Sequence, residues 1–260
     1  MAYRTENRHP RRVFAAAPAI PGSPGSPGSG AMPLVLMYHS ITPYMQDPYL
    51  VTVSPPRFEQ QMSWLRRRGL RGTSVRELLA AAERGEARSL VGLTFDDGYA
   101  DLVEYVVPGL RRHGFTATVF VIGGRLGGDN SWDADGPRKP LMTAGQVRQV
   151  AADGIEIGSH GLRHVTLPGT SDAELTAELT HSRQVLQDVS GQDVRGFCYP
   201  YGDLDGRVVN GVREAGYEYG CAIWRSDFTG RHALPRTYIG DADSPPRLWA
   251  KRLRHRLSWR

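Results

Sequence analysis

The octapeptide VGLTFDDG, residues 91–98, places a run of mostly apolar residues directly before two acidic ones. The run 91–95 is typical of a buried strand, so Asp96 and Asp97 are expected at the carboxyl end of that strand. Two adjacent carboxylates repel each other, and burying both requires a shared proton or a cation. A metal ion bound by one aspartate, with the other acting as a base on water, meets that requirement. A helix cap followed by an Asp-Gly turn is the other interpretation of the same residues.

Apolar runs of similar length alternate with amphipathic stretches on both sides of this octapeptide. Strands are predicted at residues 34–38, 91–95, 116–122, 155–158, 194–199 and 217–223, and helices at residues 57–68, 74–82, 102–112, 144–152, 172–189 and 208–215. Strict alternation of strands and helices predicts a parallel α/β fold. Polar clusters follow several strands, which matches a barrel whose strand ends build the site. We therefore predict a parallel (β/α) barrel in a single domain.

A second polar cluster, SHGLRH at residues 159–164, follows the strand predicted at 155–158. Two imidazoles four residues apart, His160 and His164, can converge on one metal ion from a helix turn or a tight loop. Two unrelated surface histidines are the alternative, since the chain contains 8 histidines. Two histidines and one aspartate form a three-ligand set with room for water, which is typical of a catalytic metal site. The second aspartate then remains free as a general base.

A third cluster, RGFCYPYG at residues 195–202, carries a predicted strand into Pro200 and Tyr201. Proline fixes the backbone there, so the next amide can be aimed at a developing oxyanion. Taken alone, the segment is better explained as a strand that ends in a turn. Cys198 and Cys221 are the two cysteines of the chain, and we expect two separate buried thiols.

The positive charge of the chain lies at its ends and not on its body. The formal net charge is +5. Residues 1–30 carry four arginines and one glutamate, and residues 247–260 carry six cations and no acid, which leaves residues 31–246 at −4. A nucleic-acid-binding protein should carry its positive charge on the folded body, so nucleic acid is not expected as a partner. No run of ~18 apolar residues occurs, so a membrane-spanning helix is not expected.

The first 31 residues are predicted to be disordered, because PGSPGSPGSG at residues 21–30 is a linker composition that cannot pack. The apolar run 13–20 is short and contains Pro18, which makes it a poor signal peptide. A cytoplasmic location is therefore favoured, with export as the alternative.

The remaining chain divides into a barrel at residues 32–246 and a basic C-terminal helix or tail at residues 247–260. The tail places leucines and a tryptophan among its cations, so it is expected to form an amphipathic helix that packs on the barrel. Contact with a membrane surface is the less favoured interpretation of this helix.

The succession of TFDDG (94–98), SHGLRH (159–164) and FCYPYG (197–202) resembles the polysaccharide deacetylases, also called the NodB-homology domain or carbohydrate esterase family 4. Segments between and beyond these motifs resemble one branch of the family, among them MYHSI (37–41), GFTATVFV (114–121), PLMTAGQV (140–147), REAGY (213–217) and LPR (234–236). The resemblance implies a distorted parallel (β/α) barrel of the NodB type. It also implies metal-dependent hydrolysis of an N-acetyl group on an amino sugar.

The resemblance further implies a role for each motif residue. Asp96 would be the catalytic base, and Asp97, His160 and His164 would hold a divalent metal, usually zinc, with cobalt or nickel as alternatives. The backbone amide of Tyr201 would help to hold the oxyanion. These roles agree with the chemistry that the residue types and spacings suggest by themselves.

Two features depart from the usual family pattern. An arginine that steers the catalytic aspartate is usual three residues before the motif tyrosine, and here that position is Cys198. Arg236 is expected to replace it, with Arg195 as the weaker candidate. The usual Leu-x-His that supplies a general acid is missing after residue 236, and His255 lies in the basic tail. His39, at the end of the first strand, is a candidate for that acid or for a substrate contact; a hydrogen-bonded strand-end histidine is the alternative.

The expected reaction is removal of an N-acetyl group from an N-acetyl amino sugar. Because a cytoplasmic location is favoured, a small glycoside or a biosynthetic intermediate carrying N-acetylglucosamine is the expected substrate. A polymer such as peptidoglycan, a chitin-like chain or an exopolysaccharide is the alternative. A non-sugar amide hydrolase and an inactive carbohydrate-binding barrel are the remaining possibilities. In the polar stretch 129–140, Trp132 and Asp133 are expected either to contact the sugar or to pack within a surface loop.

Overall fold

The structure is a computed structural model, and it describes residues 32–258. The disorder predicted for residues 1–31 lies outside the described residues and stays a prediction. The strands of the described part are β1 (Val35–Tyr38), β2 (Ser40–Ile41), β3 (Thr52–Val53), β4 (Arg71–Thr73), β5 (Leu90–Phe95), β6 (Thr118–Val121), β7 (Glu156–Ser159), β8 (Gly196–Cys198), β9 (Tyr219–Cys221) and β10 (Thr237–Tyr238).

The strands form one curved parallel sheet and a small separate pair. The order in the sheet is β10-β1-β5-β6-β7-β8-β9, with β4 paired to the first half of β5, while β2 pairs with β3. The segment 234–238 joins the two edges of the sheet, because Leu234 bridges to Cys221 and Thr237 pairs with Leu36. The sheet therefore curls into a half-barrel, which confirms the predicted distorted parallel barrel in a single domain.

Helices cover the outer face of this sheet. They are α1 (Pro55–Arg67), α2 (Val75–Glu83), α3 (Val107–His113), α4 (Ala144–Ala152), α5 (Asp172–Ser190), α6 (Gly206–Glu214) and α7 (Pro245–Ser258). Side-chain caps fix several of their starts: Thr143 and Ser171 each begin a capping box, with Gln146 and Glu174 as the third helical residues. The apolar faces of the helices pack on the sheet and form one large core, which includes Phe58, Leu65, Val147, Leu179 and Val212.

The structure differs from the sequence prediction where local signals are weak. Strands β2, β3, β4 and β10 were not predicted, because two or three residues are too few to show a period of two. The helix predicted at 102–112 is divided into a π-helical turn at Leu102–Val106 and α3. Pro108 explains the division, since a proline lacks the N–H group and clashes with the carbonyl four residues before it. Among residues 32–258, no helix has both the length and the apolar character that a membrane span requires.

Candidate active site

Polar residues gather at one rim of the half-barrel. Asp96 and Asp97 follow β5, His160 follows β7, Tyr201 follows β8, and His39 follows β1. Because the strands are parallel, their carboxyl ends all lie at this rim. The fold therefore brings together residues that lie up to 162 positions apart in the sequence, measured from His39 to Tyr201.

Three side chains at the rim form a compact set of ligand atoms. Asp97 Oδ1 lies 3.3 Å from His160 Nε2 and 3.4 Å from His164 Nε2. All three residues are buried, and their ligand atoms lie within 4.8 Å of one another. Two imidazole nitrogens and one carboxylate oxygen form the donor set of an open zinc-type site.

The hydrogen bonds of His160 show that this set suits a cation. Its Nδ1 lies 2.8 Å from the carbonyl oxygen of Cys198, which can only accept, so Nδ1 must carry a proton. In a neutral ring the lone pair of Nε2 then faces the Asp97 oxygen, and two acceptors at 3.3 Å repel each other. Either a proton on Nε2 or a cation must lie between them. Burial lowers the pKa of His160, but Cys198 and Asp97 outweigh it, and the net direction is upward.

A second triad of possible ligands, Asp96, His160 and Cys198, is a poorer metal site. Burial raises the pKa of the Cys198 thiol, so the thiolate that a metal needs is disfavoured. Both oxygens of Asp96 are already engaged by Arg236. The set of Asp97, His160 and His164 is therefore the candidate metal centre among the described residues.

Asp96 is held as a carboxylate by a buried guanidinium. Arg236 Nη1 lies 2.6 Å from Asp96 Oδ1, and Nη2 lies 2.8 Å from Oδ2. Burial raises the pKa of Asp96, but Arg236 more than offsets it, so the pKa lies below its usual value. Arg236 also donates to Thr94 Oγ1 and to the carbonyl of Ala222, which fixes the plane of the guanidinium. The carboxylate is thus ionised and oriented.

The alternative prediction, that Arg195 orients Asp96, is wrong. Arg195 pairs with Asp193 at 2.9 Å and with Glu218 at 2.9 Å, beside the amino end of β8. The carboxyl end of that strand forms the rim, so Arg195 lies at the opposite end of the barrel from Asp96.

Backbone strain is concentrated at the same rim. Asp97 (φ 69°), His164 (φ 63°) and Tyr201 (φ 59°) adopt the left-handed conformation, and Leu50 is the other non-glycine residue to do so in the described part. Such conformations are unfavourable for residues with a Cβ atom and cluster at functional sites. Gly98 and Gly161, also at positive φ, let the chain turn sharply beside Asp97 and His160.

The loop that carries the two histidines is fixed by a buried acid on α5. Glu178 Oε2 accepts hydrogen bonds from the backbone N–H groups of Leu162 (2.7 Å) and Arg163 (3.1 Å). Its other oxygen accepts from the Arg163 side chain at 2.7 Å. Glu178 was not predicted as a functional residue. The available signal was a charged residue on the apolar stripe of α5, between Leu175 and Leu179.

His39 lies beside the Asp96 carboxylate and not in the candidate metal centre. Its Nε2 is 3.9 Å from Asp96 Oδ2, and its Nδ1 is buried with no hydrogen-bond partner. The alternative prediction was a histidine held at the strand end by a hydrogen bond. The Nδ1 atom of His39 makes no such bond. A buried nitrogen without a partner is unfavourable, and a polar atom of a ligand could satisfy it.

The rings of Trp132 and Tyr201 line the approach to His164. Trp132 stacks on His164 with centroids 4.5 Å apart, and Arg125 lies over its indole at 5.4 Å. Tyr201 meets His164 edge-on at 4.5 Å and is 48% exposed. Trp132 therefore packs within the site. Asp133 is half-buried, and burial together with nearby Asp97 raises its pKa.

Comparison with known protein families identifies the class of protein to which this fold and this rim belong. The family model described as polysaccharide deacetylase matches residues 83–220, which is more than half of the chain. The chain therefore belongs to the polysaccharide deacetylase family, as the motifs imply.

Two curated relatives are similar over most of the chain. The Bacillus subtilis protein YxkH is 28% identical over 188 residues, which cover 72% of this chain and 62% of that protein. The poly-β-1,6-N-acetyl-D-glucosamine N-deacetylase of Staphylococcus aureus is 24% identical over 203 residues, covering 73% of this chain and 68% of the enzyme. This chain thus matches less than two thirds of the Bacillus relative's length.

Solved structures of the same fold superpose closely. The Streptococcus pyogenes deacetylase PplD, solved in complex with acetate, has a TM-score of 0.71 and 25% identity, over 85% of this chain and 97% of that one. IcaB from Ammonifex degensii also gives a TM-score of 0.71, at 24% identity and the same coverage, and supports the fold.

Proposed function

We propose that this protein removes the acetyl group from an N-acetylated amino sugar, with a divalent cation held by Asp97, His160 and His164. The observation that carries the proposal is that two adjacent aspartates have different partners. Asp97 faces two imidazoles, whereas the adjacent Asp96 is oriented by Arg236 and free of the metal set. One carboxylate can bind the cation while the other moves a proton.

Zinc is the cation that the ligand chemistry favours, with cobalt or nickel as alternatives. Two imidazoles and one carboxylate are typical of catalytic zinc sites, whereas magnesium prefers oxygen ligands and several waters. When bound, such a cation supplies Lewis acidity toward water and toward the acetyl carbonyl.

Asp96 is the proposed base. Its pKa is held low by Arg236, so it is ionised over the whole working range of pH but is a weak base. A weak base is sufficient where the water to be deprotonated has itself been made acidic. The two-point contact with Arg236 leaves the carboxylate little freedom to rotate, and this holds its accepting oxygen in one place.

The negative charge and the departing amine need two further groups. The amide of Tyr201 lies in the turn after β8, where this residue adopts the left-handed conformation, and we assign it to the oxyanion. His39 is the proposed donor of the proton that the leaving amine requires, because it lies at the rim beside Asp96 and its Nδ1 has no internal partner.

A polymer of N-acetylated sugar is the proposed substrate class. One relative is a poly-β-1,6-N-acetyl-D-glucosamine deacetylase by name. Ile223 packs where a side chain at Gly202 would lie, so the segment after β9 borders Tyr201. This segment carries the exposed rings of Trp224 and Phe228. Exposed aromatic rings along an open rim suit successive pyranose rings of a chain.

The small glycoside favoured by the sequence depends on a cytoplasmic location. That location was inferred from residues 1–31, outside the described part, and it stays a prediction. We therefore place the polymer first.

The test is acetate release by the zinc-loaded protein from three substrates: β-1,6-linked N-acetylglucosamine oligomers, β-1,4-linked oligomers, and a single N-acetylglucosaminyl glycoside. Turnover that rises with chain length supports the polymer. Equal turnover of the single glycoside would overturn the polymer and restore the small substrate. Failure on all three by a protein that binds zinc would contradict deacetylation of sugars.

A further inference from the structure

The C-terminal helix α7 has two dissimilar faces, and one of them packs on the barrel. Leu248 is buried against the core, and Lys251 Nζ lies 2.7 Å from the carbonyl of Tyr238 and 2.6 Å from Asp243 Oδ2. One turn later, His255 Nε2 lies 2.8 Å from the carbonyl of Met32. These contacts hold the helix along the barrel wall, from the rim end of β10 to the amino end of β1.

The opposite face of α7 is apolar and faces solvent. Trp249, Leu253 and Leu257 are 50%, 39% and 56% exposed. They are spaced four residues apart, so they form one stripe along the helix. A stripe of this kind is expected on the buried side of a surface helix. Here Leu248 occupies the buried side, so the stripe needs another explanation.

Cations border this apolar stripe on both sides. At 100° per residue, Arg252 and Arg256 lie along one edge of the stripe and Arg254 lies along the other. Arg247 shares the row of Lys251 and donates to the carbonyl of Ala242. No Asp or Glu occurs in residues 245–258. Burial, Arg256 and Arg68 all lower the pKa of Arg252, so positive charges crowd on one edge. Such a helix face repels another copy of itself and attracts an anionic surface.

We propose that the outward face of α7 binds the surface of an anionic lipid bilayer. The indole and the two leucines would enter the boundary between headgroups and acyl chains, and the flanking arginines would reach lipid phosphates. An interfacial helix requires an apolar stripe with cations along its edges, which is the arrangement that α7 presents. The helix lies on the bilayer and does not span it.

The orientation of α7 determines how the rest of the protein would lie. Because the helix follows the barrel wall, the barrel axis would lie along the membrane and the rim would open sideways. The candidate active site would stay accessible to a soluble substrate. Membrane binding and deacetylation are thus separable, and the inference does not depend on the proposed function.

The test is co-sedimentation of the full chain with vesicles of phosphatidylcholine alone or with one third phosphatidylglycerol. We expect binding to the anionic vesicles, weakened at least tenfold by 0.5 M salt and at least tenfold by W249A/L253A/L257A. The double variant R254E/R256E should weaken it similarly. A matched control, R148E/R213E, reverses two exposed arginines on α4 and α6 and should bind as the wild type does.

Insertion has its own readout. The fluorescence of Trp249 should shift to shorter wavelength on binding, and W249F should retain most of the binding but lose that change. Acetate release from soluble substrate should be the same in all variants. Absence of wild-type binding, or equal binding by the triple variant, would overturn the proposal. A wild-type dimer that the triple variant abolishes would overturn it in favour of a contact between two copies.

Discussion

Arg236 donates hydrogen bonds to both oxygens of Asp96 from a segment that lies 140 residues further along the chain. That segment bridges to β9 and pairs with β1, so the ion pair depends on the contact of this segment with both strands. The neighbouring Cys198 occupies the position where the family usually has an arginine, and its Sγ lies 3.1 Å from Arg236 Nη2. A guanidinium therefore pairs with the Asp96 carboxylate from the segment before β10 and not from β8.

Replacing Arg236 tests whether it takes the role of the arginine that the family usually has at the position of Cys198. R236M should lower kcat at least 100-fold, because Asp96 loses both its orientation and its compensating charge. The double variant R236M/C198R should recover at least tenfold of that loss, since residue 198 lies beside the Asp96 carboxylate at 3.6 Å. Steady-state kinetics and calorimetric zinc binding are measured together. R236M activity within twofold of wild type would show that Arg236 does not orient Asp96.

The two adjacent aspartates should respond differently to the same change. D96N should lose more than 1,000-fold in kcat and keep its zinc affinity, because Arg236 and not a cation engages this residue. D97N should lose zinc binding as well as activity. A zinc titration followed by melting temperature separates the two without an activity assay, since a ligand that binds the folded state raises stability. Equal loss of the zinc-induced shift in both variants would contradict the assignment.

The sequence was most informative where chemistry and periodicity coincide. Asp96, Asp97, His160 and His164 could be identified because short apolar strands deliver them directly, and because metal-ligating residue types are few. The choice between Arg236 and Arg195 needed the three-dimensional structure, because it depends on which end of a strand each residue adjoins. The strand β10 is two residues long. It forms by pairing with β1, which is distant in the sequence, and no local pattern predicts it.

The anchoring of the histidine loop by Glu178 shows the same limit and gives a third prediction. E178Q should weaken zinc binding about tenfold, because glutamine lacks the charge that strengthens these three hydrogen bonds and replaces one accepting oxygen with an NH2 group. Isothermal calorimetry with zinc measures the change. D188N, an acid-to-amide change at an exposed position of the same helix, is the control. Unchanged zinc affinity in E178Q would show that the loop is held by other contacts.

The proton assigned to His39 can be tested through the leaving group. H39Q should lower kcat roughly 100-fold on an N-acetyl sugar, whose amine must be protonated as it departs. On 4-nitrophenyl acetate the loss should be below fivefold, because that phenolate leaves without a proton. Zinc affinity should not change. A similar loss on both substrates would make His39 a positioning residue for Asp96, 3.9 Å away, and not the acid.

Asp101, which is not one of the candidate metal ligands, predicts a pH dependence of stability. It is hydrogen-bonded to Ser40 and to the backbone of Ile41, yet burial raises its pKa from 3.8 to about 6. A carboxyl group with a raised pKa stabilises the folded state fully below about pH 3.8, and this contribution is lost as the pH rises through 6. Above pH 6 the ionised group costs roughly 3 kcal/mol relative to a neutral one.

The variant D101N removes this titration and keeps an acceptor for the Ile41 N–H. Its amide nitrogen would donate to Ser40 Oγ, which in the wild type donates to Asp101 Oδ2. The difference in unfolding free energy, variant minus wild type, should therefore rise by roughly 2 kcal/mol between pH 4.5 and pH 7.5. Urea unfolding at both values measures it, and D188N serves as the exposed control, with a change near zero. A difference that stays constant with pH would mean that Asp101 is ionised throughout, with Lys139 as its compensating charge.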